Sequence, residues 1–457
     1  MEHIGKIKMK IMKEMKIMKK MKEMKKYSLY SLCLLLLVFH SSCLFQEEDV
    51  FDEPAAQRLN HALAETETLL GQSSNGWVME YFPTNEQAGS TFLMKFSPDG
   101  KVLVATKNAY TKNYTEESGC WEMIGDNGPV LTFNTFINIF HLFSDPRNPG
   151  ETGYNGVGLG GDYEFMVLEA KEDRIKLKGK KRGTNIVLKR MSENQNWEAY
   201  FEILNKMDTS LFNQLAPVDW TLTAGDKVYT LKNGASHIFT AQLQNQEKDD
   251  IDDEKETDRA IPIIITDYGF RFAQPFNIDD ITFQSFVFSD DKQSLHALEN
   301  SEIRITGVTD LADYFIKNRG SVWKFEKESM PGTMKQLFER ITNSCVDLYA
   351  ANDVTLAIAY TPGRSIHSLR ILVTRNNGTQ TLQGNLDLIP AYINTETVSF
   401  TNNGRGDNNG NTFYSRIDGL KEMLELLSTS FQLHTRNQIN PVDMKFTGTG
   451  ITFQTYQ

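Results

Sequence analysis

The sequence predicts a mainly β protein with a few helices. It reads as a β-rich α+β chain that opens with an antiparallel lipocalin-like barrel or sandwich and continues into further β-rich units. Three observations carry this. From Trp77 onward, apolar residues alternate over short runs, which is the period of a strand. Turn-forming residues such as Asp99-Gly100 separate the runs, and Asp-Gly between two such runs is a strong hairpin signal. Helical spacing of three and four is confined to a few segments, among them one starting at Trp197.

The first stretch is an address and stands outside the fold. A lysine-rich run gives way to an apolar core from Leu29 to Phe39, then to His40-Ser41-Ser42-Cys43 and the acidic Gln46-Glu47-Glu48-Asp49. These are the parts of a bacterial lipoprotein signal, and the apolar run is too short for a lasting transmembrane helix. Residues 1–42 are therefore expected to be a signal peptide and Cys43 the lipidated first residue, so the expected partner is the membrane, through that lipid. An ordinary cleaved signal or a membrane anchor is the blander reading, and His40 stands where Leu or Val is usual. Met24-Lys25-Lys26 with the apolar run after it is already a complete signal, so the Lys/Met repeat before it reads as material upstream of the true start.

Without residues 1–42, which hold ten lysines and three glutamates, 38 basic and 56 acidic residues remain, a formal charge of −18. Such a field repels polyanions, and no Lys/Arg stripe interleaved with aromatics overcomes it, so nucleic acid is excluded as a partner. The dense basic patch from Lys176 to Arg182 falls on a strand and its turn, where a solvated hairpin edge is the simpler explanation. Only Cys120 and Cys345 follow Cys43. Cys345 shares a helical stripe with Met334, Leu337, Phe338 and Ile341 and reads as a core thiol; a Cys120–Cys345 disulfide is compatible with export but not required.

The 415 residues from Cys43 are enough for two or three domains at about 100–200 residues each. We read 43–72 as a tether and N-terminal helix, 73–191 as the lipocalin-like β-domain, 192–309 as a helix plus a second β unit, and 310–457 as an α+β domain. The first helix begins after Asp52-Glu53-Pro54, with Ala55, Leu59, Leu63 and Leu70 near one face, and ends at the breaker cluster Gly71 to Gly76. Strands are expected at Trp77 to Phe82, Phe92 to Phe96, Val102 to Ala105, Val130 to Phe133, Ile139 to Phe143, Tyr163 to Leu168, Arg174 to Leu177 and Asn185 to Leu188.

A helix from Trp197 to Met207 follows, then strands at Trp220 to Leu222, Val228 to Leu231, Ile261 to Thr266, Tyr268 to Phe272, Ile281 to Phe288 and Ile303 to Ile305. The charged run from Glu247 to Asp258 interrupts them and lacks the spacing of a calcium loop. The last unit carries helices at Pro331 to Tyr349 and Ile417 to Leu427, strands at Val354 to Tyr360, Leu369 to Val373, Gln380 to Leu388 and Thr397 to Phe400, a loop from Asn402 to Gly410, and a terminal hairpin of Met444 to Phe446 with Ile451 to Phe453.

Several segments together resemble a known family: Phe51-Asp-Glu-Pro-Ala-Ala-Gln-Arg-Leu59, Gly76-Trp77, Met79 to Pro83, Leu93 to Phe96, Gly128 to Phe133, Leu159 to Phe165 and Leu177 to Lys181. They are similar to the pattern of the domain-of-unknown-function 4302 family, lipoproteins of the Bacteroidetes, over nearly all of the chain after Cys43. The resemblance implies a lipid-anchored outer-membrane protein that faces the cell exterior, often in the company of glycan or nutrient uptake systems. It implies no established activity and brings no catalytic residues.

Candidate sites therefore stand on their own chemistry. Gly156 to Gly161 has the look of a dinucleotide fingerprint but precedes an alternating strand, whereas phosphate binding needs a helix N-terminus there. Asp162 and Glu164, two apart on an expected strand, would share a face as an acid/base pair or part of a cation site; strand-edge solvation is the blander reading. Arg405-Gly406-Asp407 has the form of an adhesion tripeptide within a Gly/Asn loop. The tryptophans sit beside apolar runs and belong to cores, whereas Tyr110, Tyr114 and Tyr154 lie in polar or glycine-rich stretches and are the better ligand contacts. Isolated histidines and the lack of a Gly-x-Ser-x-Gly elbow leave no metal, cofactor or catalytic residues to expect. The expectation is a surface lipoprotein that binds or assists, with a glycan or an uptake protein as partner; a glycan-directed hydrolase using Asp162 and Glu164, or a structural partner of an outer-membrane transporter, are the alternatives.

Overall fold

The computed structural model describes residues 12–13, 15–23, 53–147, 156–213, 217–244 and 259–457. Cys43 with its signal, Tyr154 and the acidic run from Glu247 to Asp258 lie outside the described residues. The chain divides into residues 1–61 and 62–457, and the three β assemblies belong to the second unit. The protein is β-rich with a few helices, as the sequence predicts, and its strands form two closed eight-stranded antiparallel barrels and a nine-stranded sheet.

The first barrel consists of β1 (Trp77–Tyr81), β2 (Ser90–Phe96), β3 (Lys101–Thr106), β4 (Thr115–Gly125), β5 (Pro129–Phe133), β6 (Glu164–Ala170), β7 (Arg174–Gly179) and β8 (Asn185–Arg190). Each strand pairs with its neighbour in sequence and β8 returns to β1, so no strand edge is left open. The hairpin signal works as read: Gly100 takes φ 77° and donates its N–H to the Ser97 carbonyl at 3.0 Å. A helix, α1 (Ala55–Gln72), precedes the barrel, and the indole of Trp77 donates to the Leu70 carbonyl at 3.0 Å. The Arg190 guanidinium lies 4.8 Å over the other end of the same device, the Trp77 ring, because the two residues face each other across β1 and β8.

Rings fill the barrel. Tyr81 meets Phe92, Phe140 and Phe143 at centroid distances of 5.7, 5.6 and 5.5 Å. Two of those rings come from a segment the alternation marked as a strand. Ile139 to Phe143 instead forms part of a short helix, α2 (Asn138–His141), and the turn after it. A short apolar run does not distinguish strand from buried helix by period alone, and here the helix lets Phe140 and Phe143 drop together into the barrel mouth.

After α3 (Trp197–Leu211), the second barrel comprises β9 (Trp220–Ala224), β10 (Lys227–Lys232), β11 (Ile238–Leu243), β12 (Arg259–Thr266), β13 (Gly269–Ile278), β14 (Ile281–Phe288), β15 (Ser294–Ala297) and β16 (Arg304–Thr306). Its core is again aromatic, with Trp220 between Phe212 at 4.9 Å and Phe270 at 5.9 Å, and with its indole N–H donating to the Ile439 carbonyl at 3.0 Å.

The third assembly adds α4 (Leu311–Lys317), β17 (Val322–Phe325), α5 (Gly332–Tyr349), β18 (Ala351–Thr361), β19 (Ile366–Arg375), β20 (Gln380–Asp387), β21 (Ile389–Asn394), β22 (Thr397–Thr401), α6 (Asn408–Arg416), α7 (Leu420–Leu427), β23 (Ser430–His434), β24 (Asp443–Gly448) and β25 (Ile451–Tyr456). The sheet stays open, with β20 and β21 at its edges although only Leu388 separates them in sequence. α5 packs on β18 and against α7, burying the stripe that ends at Cys345, whose thiol is pushed up to about 11 by burial. Cys120 is exposed on β4, and both thiols are free. The expected loop from Asn402 gives way to helix already at Asn408, because Asp407 caps it by accepting the Gly410 N–H at 2.6 Å. Among the described residues, no helix is long and apolar enough to cross a membrane.

Candidate functional site

Alternation along β1 turns Met79 and Tyr81 into the first barrel and sends Glu80 outward, toward the second barrel. Glu80 and Arg271 are only 2% and 3% exposed. The Arg271 Nε donates to Glu80 Oε2, and Lys189 Nζ stands 2.6 Å from Oε1. Lys189 also donates to the Tyr268 hydroxyl at 2.8 Å, and Arg271 lies 5.1 Å over the Phe82 ring. Burial opposes the Glu80 charge, but Arg271 and Lys189 together more than offset it and hold the carboxyl below its usual range. Beside these charges runs an apolar seam of Phe82, Ile264 and Ala273. Gly89 donates to the Ile263 carbonyl at 2.9 Å, and a Cβ there would stand 2.5 Å from the Ile264 Cβ, so the close approach depends on glycine.

Next to this junction the barrels part and leave a cleft of about 650 Å³. Segments 87–91 and 107–112 of the first barrel form one side, and 237–238 and 264–265 of the second form the other. α3 closes the end, its start fixed by Asn196, whose side chain accepts the Ala199 N–H at 2.8 Å. The helix buries Tyr200, Phe201 and Leu204 against Val78, Leu93 and Ala105 on the outside of the first barrel. Its last turns turn Asp208 to the cleft, where the carboxylate meets His237 Nε2 at 2.7 Å. Lys107 pairs with Glu202 at 2.7 Å on the same rim.

Of the residues singled out from sequence, Tyr110 lines this cleft. It is 38% exposed, its ring meets Phe143 edge-on at 5.2 Å, and burial raises its phenol pKa. Tyr114 lies outside the cleft lining and is engaged within the protein, donating to Glu116 and packing on Phe201 at 5.9 Å. Asp162 and Glu164 are not brought together as a pair. β6 begins only at Glu164, so Asp162 precedes the strand and the period-two argument does not reach it. Asp162 is buried and accepts the Arg182 N–H at 2.7 Å and the Lys181 N–H at 3.3 Å, which fastens the turn between β7 and β8. Burial raises its pKa, partly offset by those amides. Glu164 pairs with Lys180 at 3.2 Å, and Lys180 also reaches Asp126 at 2.9 Å, so the basic run is answered by acids on its own barrel.

The glycine loop takes positive φ at Gly156, Gly158 and Gly160 and leads into β6, a strand rather than a helix. Asp407 of the Arg-Gly-Asp tripeptide is spent on its helix cap and on the Asn385 side chain, which donates to it at 2.6 Å. Gln87, Asp208 and His237 were missed by sequence reasoning. They come from three separate segments, and the one local signal, His237 in the left-handed region at φ 59°, is conformational.

The geometry can now be set beside known proteins. The family model of a domain of unknown function, DUF4302, matches residues 47–290. The chain belongs to this family. The DUF4302 match takes in the first barrel, α3 and the second barrel through β14, and therefore every wall of the cleft. It stops short of the nine-stranded sheet, so it is narrower than the near-complete coverage the quoted segments imply. None of the curated proteins matches this chain. Among solved structures, the β subunit of DNA polymerase from Streptococcus pyogenes is 12% identical, with 88% of this chain and 97% of that chain covered at a TM-score of 0.13. Transferrin binding protein B from Haemophilus parasuis is 10% identical, with 83% and 74% covered at a TM-score of 0.12. Likenesses at such TM-scores carry no weight for fold or function.

Proposed function

We propose that this DUF4302 chain is a surface lipoprotein of the Bacteroidetes outer membrane, anchored through Cys43, that binds a ligand in the cleft between its two barrels in the service of glycan or nutrient uptake. The anchor rests on the signal pattern ending at Cys43. The observation that carries the binding role is the cleft itself: two barrels packed full of rings are held side by side by a buried ion cluster, and their junction leaves about 650 Å³ lined by a half-exposed tyrosine and hydrogen-bonding side chains. Binding without chemistry fits the site better than hydrolysis, since Asp162 and Glu164 are separately committed to a turn and to a lysine.

Thermal unfolding of the full chain in detergent, with and without a panel of oligosaccharides, tests the role, because a ligand that binds only the folded state raises the melting point. A rise with one of them that Tyr110→Ala abolishes is the expected result; no rise across the panel contradicts it. Incorporation of labelled palmitate into the wild type but not into Cys43→Ser tests the anchor.

A further inference from the structure

The chain is acidic, but the cleft is not. Among the residues that line it, the charged side chains are Lys107, Lys112 and Asp208, with His237 beside the last. Asp208 is spent on His237, whose Nε2 stands 2.7 Å from the carboxylate. Segments 87–91 and 264–265, one from each barrel, are uncharged. A recess takes its field from its own lining, because charges beyond about 8 Å are largely screened at physiological ionic strength. The formal −18 that follows residue 42 therefore does not set the potential inside the cleft.

Both lysines come from one turn, 107–112, between β3 and β4, and its shape is fixed from within. The Asn108 Oδ1 accepts the N–H groups of Tyr110 and Thr111, both at 2.9 Å, and the Asn108 N–H donates to the Thr111 carbonyl at 2.8 Å. The Asn108 amide also donates to the Thr106 hydroxyl at 3.1 Å, and that hydroxyl is fastened to the Thr91 carbonyl at 2.8 Å. The turn thus sets Lys107 and Lys112 on either side of Tyr110 in the chain, and all three line the cleft.

Neither lysine is firmly engaged. Lys107 meets Glu202 at 2.7 Å, but the two side chains are 37% and 51% exposed, and a pair so open contributes little. Glu202 lies outside the lining, so an anion in the cleft can take its place at Lys107. Lys112 is exposed and makes no ion pair among the described residues.

We infer that Lys107 and Lys112 determine specificity in this cleft by holding an anionic substituent of the ligand, so that the cleft takes an acidic sugar chain, bearing carboxylate or sulfate groups, in preference to its uncharged counterpart. This rests on the cleft being the glycan site. A sugar ring stacked on Tyr110 carries its acidic group toward a lysine on one side or the other, and hydrogen bonds to a charged partner are the stronger kind. The half-buried Ile238 and Ile265 of the second barrel meet the carbon faces of the chain.

The test uses the full chain in detergent, titrated calorimetrically with tetragalacturonate and its methyl ester, and with a galactose tetrasaccharide and its sulfated form. Within each pair the sugar is the same and the charge differs, and the pair that responds tells carboxylate from sulfate. At least one acidic probe should bind at least about tenfold tighter than its uncharged counterpart. The preference should shrink at about 1 M salt, where the screening length falls to about 3 Å, and disappear when Lys107→Met and Lys112→Met are combined. Lys112→Met alone should weaken the acidic probe without changing the melting point of the free protein, since its side chain is exposed and unpaired. If a probe binds in a Tyr110-dependent way but its uncharged counterpart binds equally well, or the combined variant keeps the preference, the inference is wrong while the binding site stands. If no probe binds, or binding is indifferent to Tyr110→Ala, both fall.

Discussion

The inside of the barrels and the junction between them are built on opposite principles. Inside, Trp77, Tyr81, Phe92, Phe140 and Phe143 in one barrel, and Trp220, Phe270, Phe272 and Phe286 in the other, exclude water by filling the space with rings. At the junction, Glu80, Arg271 and Lys189 are charged groups taken out of water, held by one another, and the space beside them is left open. An eight-stranded barrel is wide enough either to be filled by side chains or to hold one small ligand. This protein takes the first option twice, and the open space lies outside both barrels.

The comparison can be broken at either end. Trp77→Ala or Trp220→Ala should cost about 3–5 kcal/mol, measured by denaturant unfolding, because each indole closes a packed core and spends its N–H within the protein. Arg271→Ala should cost up to about 3–5 kcal/mol, since it leaves the buried carboxylate with Lys189 as its remaining cation; replacing Glu80 and Arg271 together by apolar residues should cost much less. A loss for the double variant as large as for Arg271→Ala alone would show that the charges do more than balance each other.

Acid separates the two regions further. The folded-state pKa of Glu80 lies below its value of 4.5 when unfolded, so its ionised form stabilises the junction fully above that value, and the contribution disappears as pH falls through the lower, folded value. Unfolding followed from pH 6 to pH 2 should lose this component in the wild type and show none of it in Glu80→Gln. Tyr110→Ala should be the mildest change for the fold, about 1 kcal/mol through its lost contact with Phe143, while abolishing the proposed ligand binding.

Much of the barrels was legible in the sequence because strands such as β3 and β7 hide one face, and period two with turn residues such as Asp99-Gly100 is the direct trace of that burial. Where burial is complete on all sides the trace fades. Ile139 to Phe143 is apolar without a clear period, and only the three-dimensional barrel mouth decides for a helix. Strands β4, β11, β15, β17, β21 and β23 went unread; β4 and β21 bury almost nothing along their length, and β15 and β17 are short. The cleft was legible only at Tyr110. An exposed aromatic in a polar loop has a local signature, whereas Gln87, Asp208 and His237 gain their meaning from α3 and the two barrels meeting. Asp162 misled for a related reason: spacing suggests a shared face, but the strand it was counted on starts two residues later.

The most direct test of a ligand site outside the barrels is amide hydrogen exchange of the full chain, with and without the oligosaccharide of the panel that raises the melting point most. Slowed exchange confined to segments 87–91, 107–112, 201–208 and 237–238 is the predicted result. Protection within a barrel interior, or on the nine-stranded sheet around His434 and Lys445, with the cleft segments unchanged, would contradict it.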